Sequence, residues 1–285
     1  MRSLSYKRVF DRSLLGSVIA HYKSLASISA QIKIAYREYV LKKGSPSIIP
    51  IEIDTVQRAE FENAYSNKPI GAGLSWISEL YINGLNSCPF CGGDGARTIE
   101  HYLPQASYPE FSVYSLNLLP SCGSCNSKRN SLNAHGAATS PLHPYFDKHI
   151  LNKLNAYTVV SLDCGVIGFY LSYDHSPFTE EEQFRIDYHM EISLDETSYI
   201  NRTLDSLETL RISSEKYSTP MEFRTEVIDD QIYISERKKD YNSWHHALCK
   251  GLANLSDDEL QIIFGDSFGA RASAPSLGRL RNLTP

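Results

Sequence analysis

The chain has 285 residues, 42% of them hydrophobic and 21% charged, which excludes a largely disordered protein and allows a substantial core without disulfide bonds. The formal net charge of -5 excludes a protein that coats nucleic acid over its whole surface.

Charge is distributed unevenly along the chain. Residues 1–44 contain nine Lys and Arg against Asp11 and Glu38, a net +7, so the other 241 residues carry -12. A basic N-terminal region on an acidic body could contact phosphate groups, or it could form the solvated face of helices. The sequence leaves both interpretations open.

No apolar run approaches the roughly 20 residues that span a bilayer, and the first residues lack the apolar centre of a signal peptide. We therefore expect a cytoplasmic protein without membrane contact. In that reducing compartment, paired thiols favour metal binding over disulfides. The isolated Cys164 and Cys249 are expected in the core.

The N-terminal region is predicted to be helical. Apolar residues recur at helical spacing over 10–40 and end at the stop signal Gly44-Ser45-Pro46, which predicts one long helix or two in sequence. Two prolines exclude a helix over 46–53. Two more helices, the first with Asp54 as its N-cap, are predicted at 55–65 and 74–83.

The C-terminal region is predicted to be mixed. Residues 158–173 are rich in β-branched and aromatic side chains, with a turn near 163–165, as is typical of a strand pair. Thr179 is a capping residue for a following helix. The tail from Gly269 is expected to fray. Further helices are predicted at 195–215, 241–253 and 256–263.

The strongest chemical signal lies at 88–130, where two Cys-x-x-Cys pairs are separated by 30 residues. Each pair places two thiolates on one tight turn, and two such turns can meet in tetrahedral coordination. A redox role is the alternative, but two redox pairs in one short module are unusual. We predict a structural zinc site, because four protein ligands leave no open position, formed by Cys88, Cys91, Cys122 and Cys125.

Between the cysteine pairs, residues 98–104 are predicted to form a short strand that ends at Pro104. It carries Glu100 and His101, whose side chains face one site only if the backbone twists there. Histidine can take a proton from water at neutral pH, and a carboxylate can bind a divalent cation. Without its context, such a pair is most often a surface pair.

This stretch resembles the zinc-bearing HNH (His-Me finger) nucleases. The matching segments are CPFC, EHYLP, NLLP and CGSCNSKRN, about 45 residues in the family's order. Glu100 departs from the commoner Asp, and Asn126 stands where the family often has His. The resemblance implies an α+β fold, with a zinc-bound ββα-metal module at 86–150 between a helical region, 1–85, and a mixed α/β region, 151–285.

The resemblance also implies roles for individual residues. His101 would be the general base that activates water, and Glu100 and Asn126 would hold a catalytic Mg²⁺ or Mn²⁺. Asn117 would fix the loop that aims His101. Lys128 and Arg129 would either contact phosphate or lie on a solvated helix surface.

The remaining histidines carry weaker signals. His143 follows the matching segments and could lie near the active site, but a packed loop histidine is the favoured interpretation. The others have no acid or cysteine at a recognisable spacing and are interpreted as structural. They include His175, His189, His245 and His246.

The expected function is metal-dependent hydrolysis of DNA phosphodiester bonds. One alternative is a non-catalytic zinc module that binds nucleic acid or a protein, and another is an HNH nuclease that acts on RNA. By analogy with HNH proteins of bacterial antiphage defence, a regulatory partner such as an ATPase would control the nuclease. The acidic C-terminal region would then be a packing or partner-binding domain.

Overall fold

The computed structural model describes residues 1–5, 9–82, 85–129, 139–163 and 166–268. It shows a mixed α+β fold with two separate two-stranded antiparallel sheets, so the predicted α+β class is confirmed. Among the described helices, none is long and apolar enough to cross a bilayer.

The chain forms two compact units. Unit 1 comprises Met1–Asn152 and Phe178–Leu194, and unit 2 comprises Lys153–Pro177 and the described residues from Asp195 onward. Within unit 1 the N-terminal helices share a core with the cysteine module. That core joins residues of the first helices, such as Leu15 and Ile32, to Ile99 and Leu118.

The α-helices of unit 1 are α1 (Asp11–His21), α2 (Ser29–Leu41), α3 (Thr55–Asn67), α4 (Trp76–Ile82), α5 (Gly123–Arg129), α6 (Lys148–Leu151) and α7 (Glu180–Ser193). A 3₁₀ turn, Lys23–Ile28, joins α1 to α2, so the predicted N-terminal helix is two helices in sequence. Capping boxes begin α3 and α7, because Asp54 and Thr179 each accept a backbone hydrogen bond three residues on.

The sheet of unit 1 consists of β1 (Thr98–His101) and β2 (Leu118–Ser121). The strands are antiparallel, with Glu100 opposite Leu119 and His101 opposite Leu118. α5 follows β2 directly, so the chain order in this part of the unit is strand, strand, helix.

Unit 2 is built on a hairpin of β3 (Ala156–Asp163) and β4 (Val166–Tyr173), in the predicted place. Its α-helices are α8 (Glu196–Ser214), α9 (Pro220–Phe223), α10 (Asp229–Arg237), α11 (Trp244–Ala253) and α12 (Asp257–Phe264). Neither α9, α10 nor the π-helical segment that joins them, Arg224–Ile228, was predicted from the sequence. Residues from β4, α8, α11 and α12 form a separate apolar core.

Several predictions fall on residues outside the described ranges. They concern Lys7, Arg8, Asn83, Asn130, Cys164, Gly165 and the tail from Gly269.

Candidate metal centre and active site

The four paired cysteines meet in space. Their sulfur atoms all lie within 4.8 Å of one another. The Sγ atoms of Cys88 and Cys125 are 3.8 Å apart, as are those of Cys91 and Cys122. A tetrahedral ion with Zn–S bonds of about 2.3 Å separates its sulfur ligands by about 3.8 Å. The cluster is therefore compatible with a zinc site.

Backbone hydrogen bonds shape the first cysteine turn. The amide of Gly92 donates to the carbonyl of Cys88 at 2.9 Å, and the amide of Cys88 donates to the carbonyl of Gly93 at 2.7 Å. Gly92 has φ of +80°, a conformation that glycine adopts without strain. The amide of Gly93 also points at the Cys91 sulfur, at 3.3 Å, as suits a thiolate acceptor.

His101, at the end of β1, is held through one ring nitrogen. Its Nε2 lies 3.0 Å from the carbonyl oxygen of Ser112, and its ring packs edge-on against Tyr65. A carbonyl oxygen only accepts hydrogen bonds, so Nε2 carries the proton. Burial lowers the pKa of His101 to about 4, although the Ser112 contact opposes the shift. The neutral ring therefore presents an unprotonated Nδ1 at pH 7.

Glu100 and His101 contact different neighbours, as alternation along a strand requires. The Glu100 carboxyl is buried beside Arg129, with Oε1 3.7 Å from Nε, too long for a hydrogen bond. Burial raises the pKa of Glu100 to about 8, while Arg129 acts in the opposite direction. The predicted metal ligand and the predicted base are thus not brought together in this conformation.

Arg129 is buried, with only 2% of its surface exposed. Its guanidinium lies 3.9 Å from the ring centroid of Phe90, and Nη1 donates to the hydroxyl of Ser193 at 3.3 Å. Nε and Nη2 have no hydrogen-bond partner among the described residues. Arg129 can meet a phosphate only if this packing opens.

Lys128 caps the end of another helix. Its Nζ donates to the carbonyl oxygens of Glu191 and Leu194, at 2.7 Å each, at the end of α7. The last carbonyls of a helix lack partners within it, and a lysine can satisfy them. In this conformation Lys128 stabilises the C-terminal end of α7.

Asn117 lies buried where the chain enters β2. Its Oδ1 accepts from the amide of Leu103 at 2.7 Å, and its Nδ2 donates to the carbonyls of Leu103 and Phe111, at 3.1 and 3.3 Å. It therefore ties together the two ends of the loop that follows His101. Asn126, in α5, is partly exposed and lies one helical turn from Arg129.

α7 supplies contacts to the cysteine module that the sequence analysis missed. His189, interpreted there as structural, is fully buried: Nδ1 accepts from the amide of Leu142 at 3.1 Å, and Nε2 lies 2.8 Å from the carbonyl of Phe90. Arg185 forms two hydrogen bonds with Asp147, at 2.8 and 3.1 Å. No local motif signals these contacts, since α7 lies far from the cysteines in sequence.

No other described histidine belongs to the four-cysteine group. In unit 2, His246 is buried and its Nδ1 accepts from the Asn242 amide, while the exposed His175 stacks on Tyr173. His245 lies within 3.7 Å of the buried Cys249 sulfur, and burial raises the pKa of that thiol to about 12. His143, in unit 1, is fully buried in aromatic side chains.

Unit 1 exposes basic side chains on its N-terminal helices. Lys33 and Arg37 lie one turn apart on the solvent side of α2, and Lys42 and Lys43 follow its end. The predicted basic region is therefore accessible on the same unit as His101.

Comparison with known proteins gives one distant likeness. The chain is 28% identical to Protein ea31 of Escherichia phage lambda over 206 residues, which cover 67% of this chain and 68% of that protein. No protein-family model matches the sequence, and no solved structure matches it.

Proposed function

We propose that the chain is an HNH endonuclease that hydrolyses DNA phosphodiester bonds, with His101 as its general base. The observation that carries the proposal is the state of His101: neutral at pH 7, held through Nε2 by the Ser112 carbonyl, with Nδ1 left unprotonated. No described residue forms a hydrogen bond with Nδ1. A base in this state can take a proton from an attacking water.

The cysteine cluster supports the same assignment. Zinc held by the four thiolates would fix the turns on either side of β1 and β2, and so the strand that carries His101. Four protein ligands leave no open position, so the role of this ion would be structural.

A catalytic divalent ion is a further part of the proposal. Glu100 and Asn126 offer the hard oxygen donors that suit Mg²⁺ or Mn²⁺, with substrate and water completing the coordination. Such an ion would stabilise the charge on the phosphate and on the leaving oxygen. Since Arg129 lies beside Glu100, the guanidinium would have to move for the carboxylate to serve as a ligand.

DNA is the proposed substrate because exposed cations lie on the unit that carries the base. Lys33 and Arg37 of α2 could contact backbone phosphates without reading sequence. RNA offers the same phosphates and remains the alternative substrate. The antiphage role, the cytoplasmic location and the regulatory ATPase partner stay predictions.

A second function, a non-catalytic zinc module that binds nucleic acid or protein, is favoured by a different observation. The carboxyl of Glu100 is buried against Arg129, which already supplies a positive charge there. If that pair never opens, the metal site does not form.

His101→Ala separates the two functions. We expect cleavage of labelled duplex DNA in Mg²⁺ or Mn²⁺ to fall by about 100-fold or more, because general-base catalysis contributes at least that much. His149→Ala is the matched control, since His149 is an exposed histidine of the same unit. Zinc content and circular dichroism should match wild type in both variants.

Equal, measurable cleavage by wild type and a folded His101→Ala would contradict His101 as the general base. No cleavage by the zinc-loaded wild type would contradict the nuclease assignment and leave the binding module. The same assay with labelled RNA of the same sequence separates the two substrates.

A further inference from the structure

The loop after His101 is tied to Asn117 at both ends, close to the imidazole itself. Phe111, whose carbonyl accepts from Asn117 Nδ2, directly precedes Ser112, whose carbonyl holds His101 Nε2. A shift of the Asn117 side-chain amide would therefore move the Ser112 carbonyl oxygen, which holds the imidazole, because only one peptide unit separates it from the Phe111 carbonyl.

Asn117 has a buried partner from the N-terminal helices. The Tyr39 hydroxyl, from α2, lies 3.0 Å from Asn117 Oδ1 and 3.3 Å from His143 Nε2. All three side chains are fully buried. Neither Tyr39 nor His143 lies in the stretch that resembles a nuclease.

The direction of these hydrogen bonds follows from the backbone. The Tyr145 amide donates to His143 Nδ1 at 3.2 Å, so that nitrogen is unprotonated. The neutral ring then carries its proton on Nε2, which donates to the Tyr39 oxygen. The proton of Tyr39 then has two acceptors, Asn117 Oδ1 at 3.0 Å and the carbonyl of Leu116 at 3.3 Å, and the shorter distance favours Asn117. Burial also lowers the pKa of His143 well below its ordinary value, in keeping with a neutral ring.

Packing holds the hydrogen-bonded side chains of His143, Tyr39 and Asn117 in place. The His143 ring lies 4.1 Å from the ring centroid of Tyr102 and 4.6 Å from that of Phe146. Gly44, with φ of +72°, packs directly against the side chains of Tyr39 and His143. A Cβ at this position would come within 3.1 Å of both. The hydroxyl therefore has little freedom to turn away from Asn117.

We propose that Tyr39 and His143 are positioning residues for His101. Their hydrogen bonds fix the orientation of the Asn117 amide, which holds the Phe111–Ser112 backbone so that the imidazole keeps its proton on Nε2 and its lone pair on Nδ1. The catalytic consequence rests on the proposed nuclease function. The structural consequence, the state of the His101 ring, does not.

Tyr39→Phe tests the proposal because it removes one oxygen atom and keeps the ring. We expect the turnover number for DNA cleavage to fall by about 10-fold, with KM unchanged, as for other residues that orient a catalytic group through a hydrogen bond. Tyr36→Phe is the matched control, a tyrosine one turn earlier on α2 whose ring stacks on Tyr114.

Nitrogen NMR of histidine-labelled protein supplies the readout that a merely structural role would not change. Wild type and Tyr36→Phe should show His101 as the Nε2–H tautomer alone, whereas Tyr39→Phe should show a mixture of tautomers. His143→Gln retains a donor near the Nε2 position and should preserve the single tautomer, whereas His143→Phe should lose it.

An unchanged His101 tautomer in both Tyr39→Phe and His143→Phe would overturn the proposal. If wild-type protein cleaves no nucleic acid, the nuclease function fails, and the NMR spectra still decide whether Tyr39 and His143 position the ring.

Discussion

Arg129 is the residue whose surroundings decide what Glu100 can do. Its guanidinium is buried against Phe90, and its Nε lies 3.7 Å from a carboxyl oxygen of Glu100. Removing one member of a buried pair generally costs more stability than replacing both, since the remaining charge has no compensation. Comparing a single with a double substitution therefore tests whether Arg129 and Glu100 stabilise the fold as a pair.

Arg129→Met should destabilise unit 1 at both pH values, and by about 0.4 kcal/mol more at pH 8 than at pH 5. The pKa of Glu100 is already raised to about 8 by burial, and Arg129 opposes that shift, so its removal raises the pKa further. A carboxyl with a raised folded-state pKa is most favourable below its unfolded value of about 4.5 and loses stability as pH rises. Urea unfolding at the two pH values measures the difference.

The double variant Arg129→Met with Glu100→Gln is the control for this prediction. It removes both charges and should recover most of the lost stability at pH 8. If Arg129→Met lowers the free energy of unfolding equally at pH 5 and pH 8, Arg129 acts through packing on Phe90 rather than through Glu100.

At the scale of elements, the contact of α11 with β3 depends on one glycine. A Cβ built on Gly251 would lie 2.1 Å from the carbonyl oxygen of Thr158, a distance at which backbone must move. Helix and strand therefore approach more closely than any side chain at this position allows. Glycine inside a helix costs about 1 kcal/mol relative to alanine, so its presence in α11 reflects this contact.

Gly251→Ala should destabilise unit 2 by about 2 kcal/mol or more, because α11 must shift away from the hairpin. Gly16→Ala is the matched control in α1, where nothing lies within 4 Å of the added Cβ, and it should stabilise unit 1 by about 0.5–1 kcal/mol. Thermal unfolding should show a lower Tm for Gly251→Ala and a higher Tm for Gly16→Ala. An unchanged Tm in Gly251→Ala would contradict the close approach of α11 to β3.

At the scale of the whole molecule, metal binding and folding should be coupled in one unit and not in the other. The four candidate ligands all belong to unit 1, and the core of unit 2 is built from different residues. The two tryptophans of the chain report on the units separately, since Trp76 lies in α4 and Trp244 in α11.

Cys122→Ser, or removal of metal with a chelator, should unfold unit 1, because a structural zinc contributes its binding energy to folding. With 5-fluorotryptophan, the Trp76 fluorine resonance should move to the unfolded position while that of Trp244 stays. Protein purified without added metal should contain about one zinc per chain.

Cys249→Ala is the control, because Cys249 is a buried cysteine of unit 2 outside the cluster, and it should keep the zinc. A folded unit 1 without bound metal would contradict the zinc prediction.

Sequence by itself determined the features that depend on neighbours in the chain. The capping boxes at Asp54, Thr179 and Ser256 and the hairpin over 156–173 could be predicted, because each depends on residues a few positions apart. The cysteine spacing likewise predicted a four-sulfur cluster. The segment 215–240 carries a signal of the same kind, since Thr219 caps a helix that begins with Pro220 and has Glu222 three residues after the cap, but its helices were not predicted.

Only the tertiary structure decided how the candidate site is surrounded. Lys128 bonds to the end of α7, Arg129 is buried beside Glu100, and Tyr39 reaches Asn117 across 78 positions of sequence. Periodicity and motif spacing record the faces of single elements, whereas these contacts arise when separate elements meet in one core. A charged residue near a helix end looks the same in sequence whether it faces solvent or a buried carboxyl, because the choice depends on what packs over it.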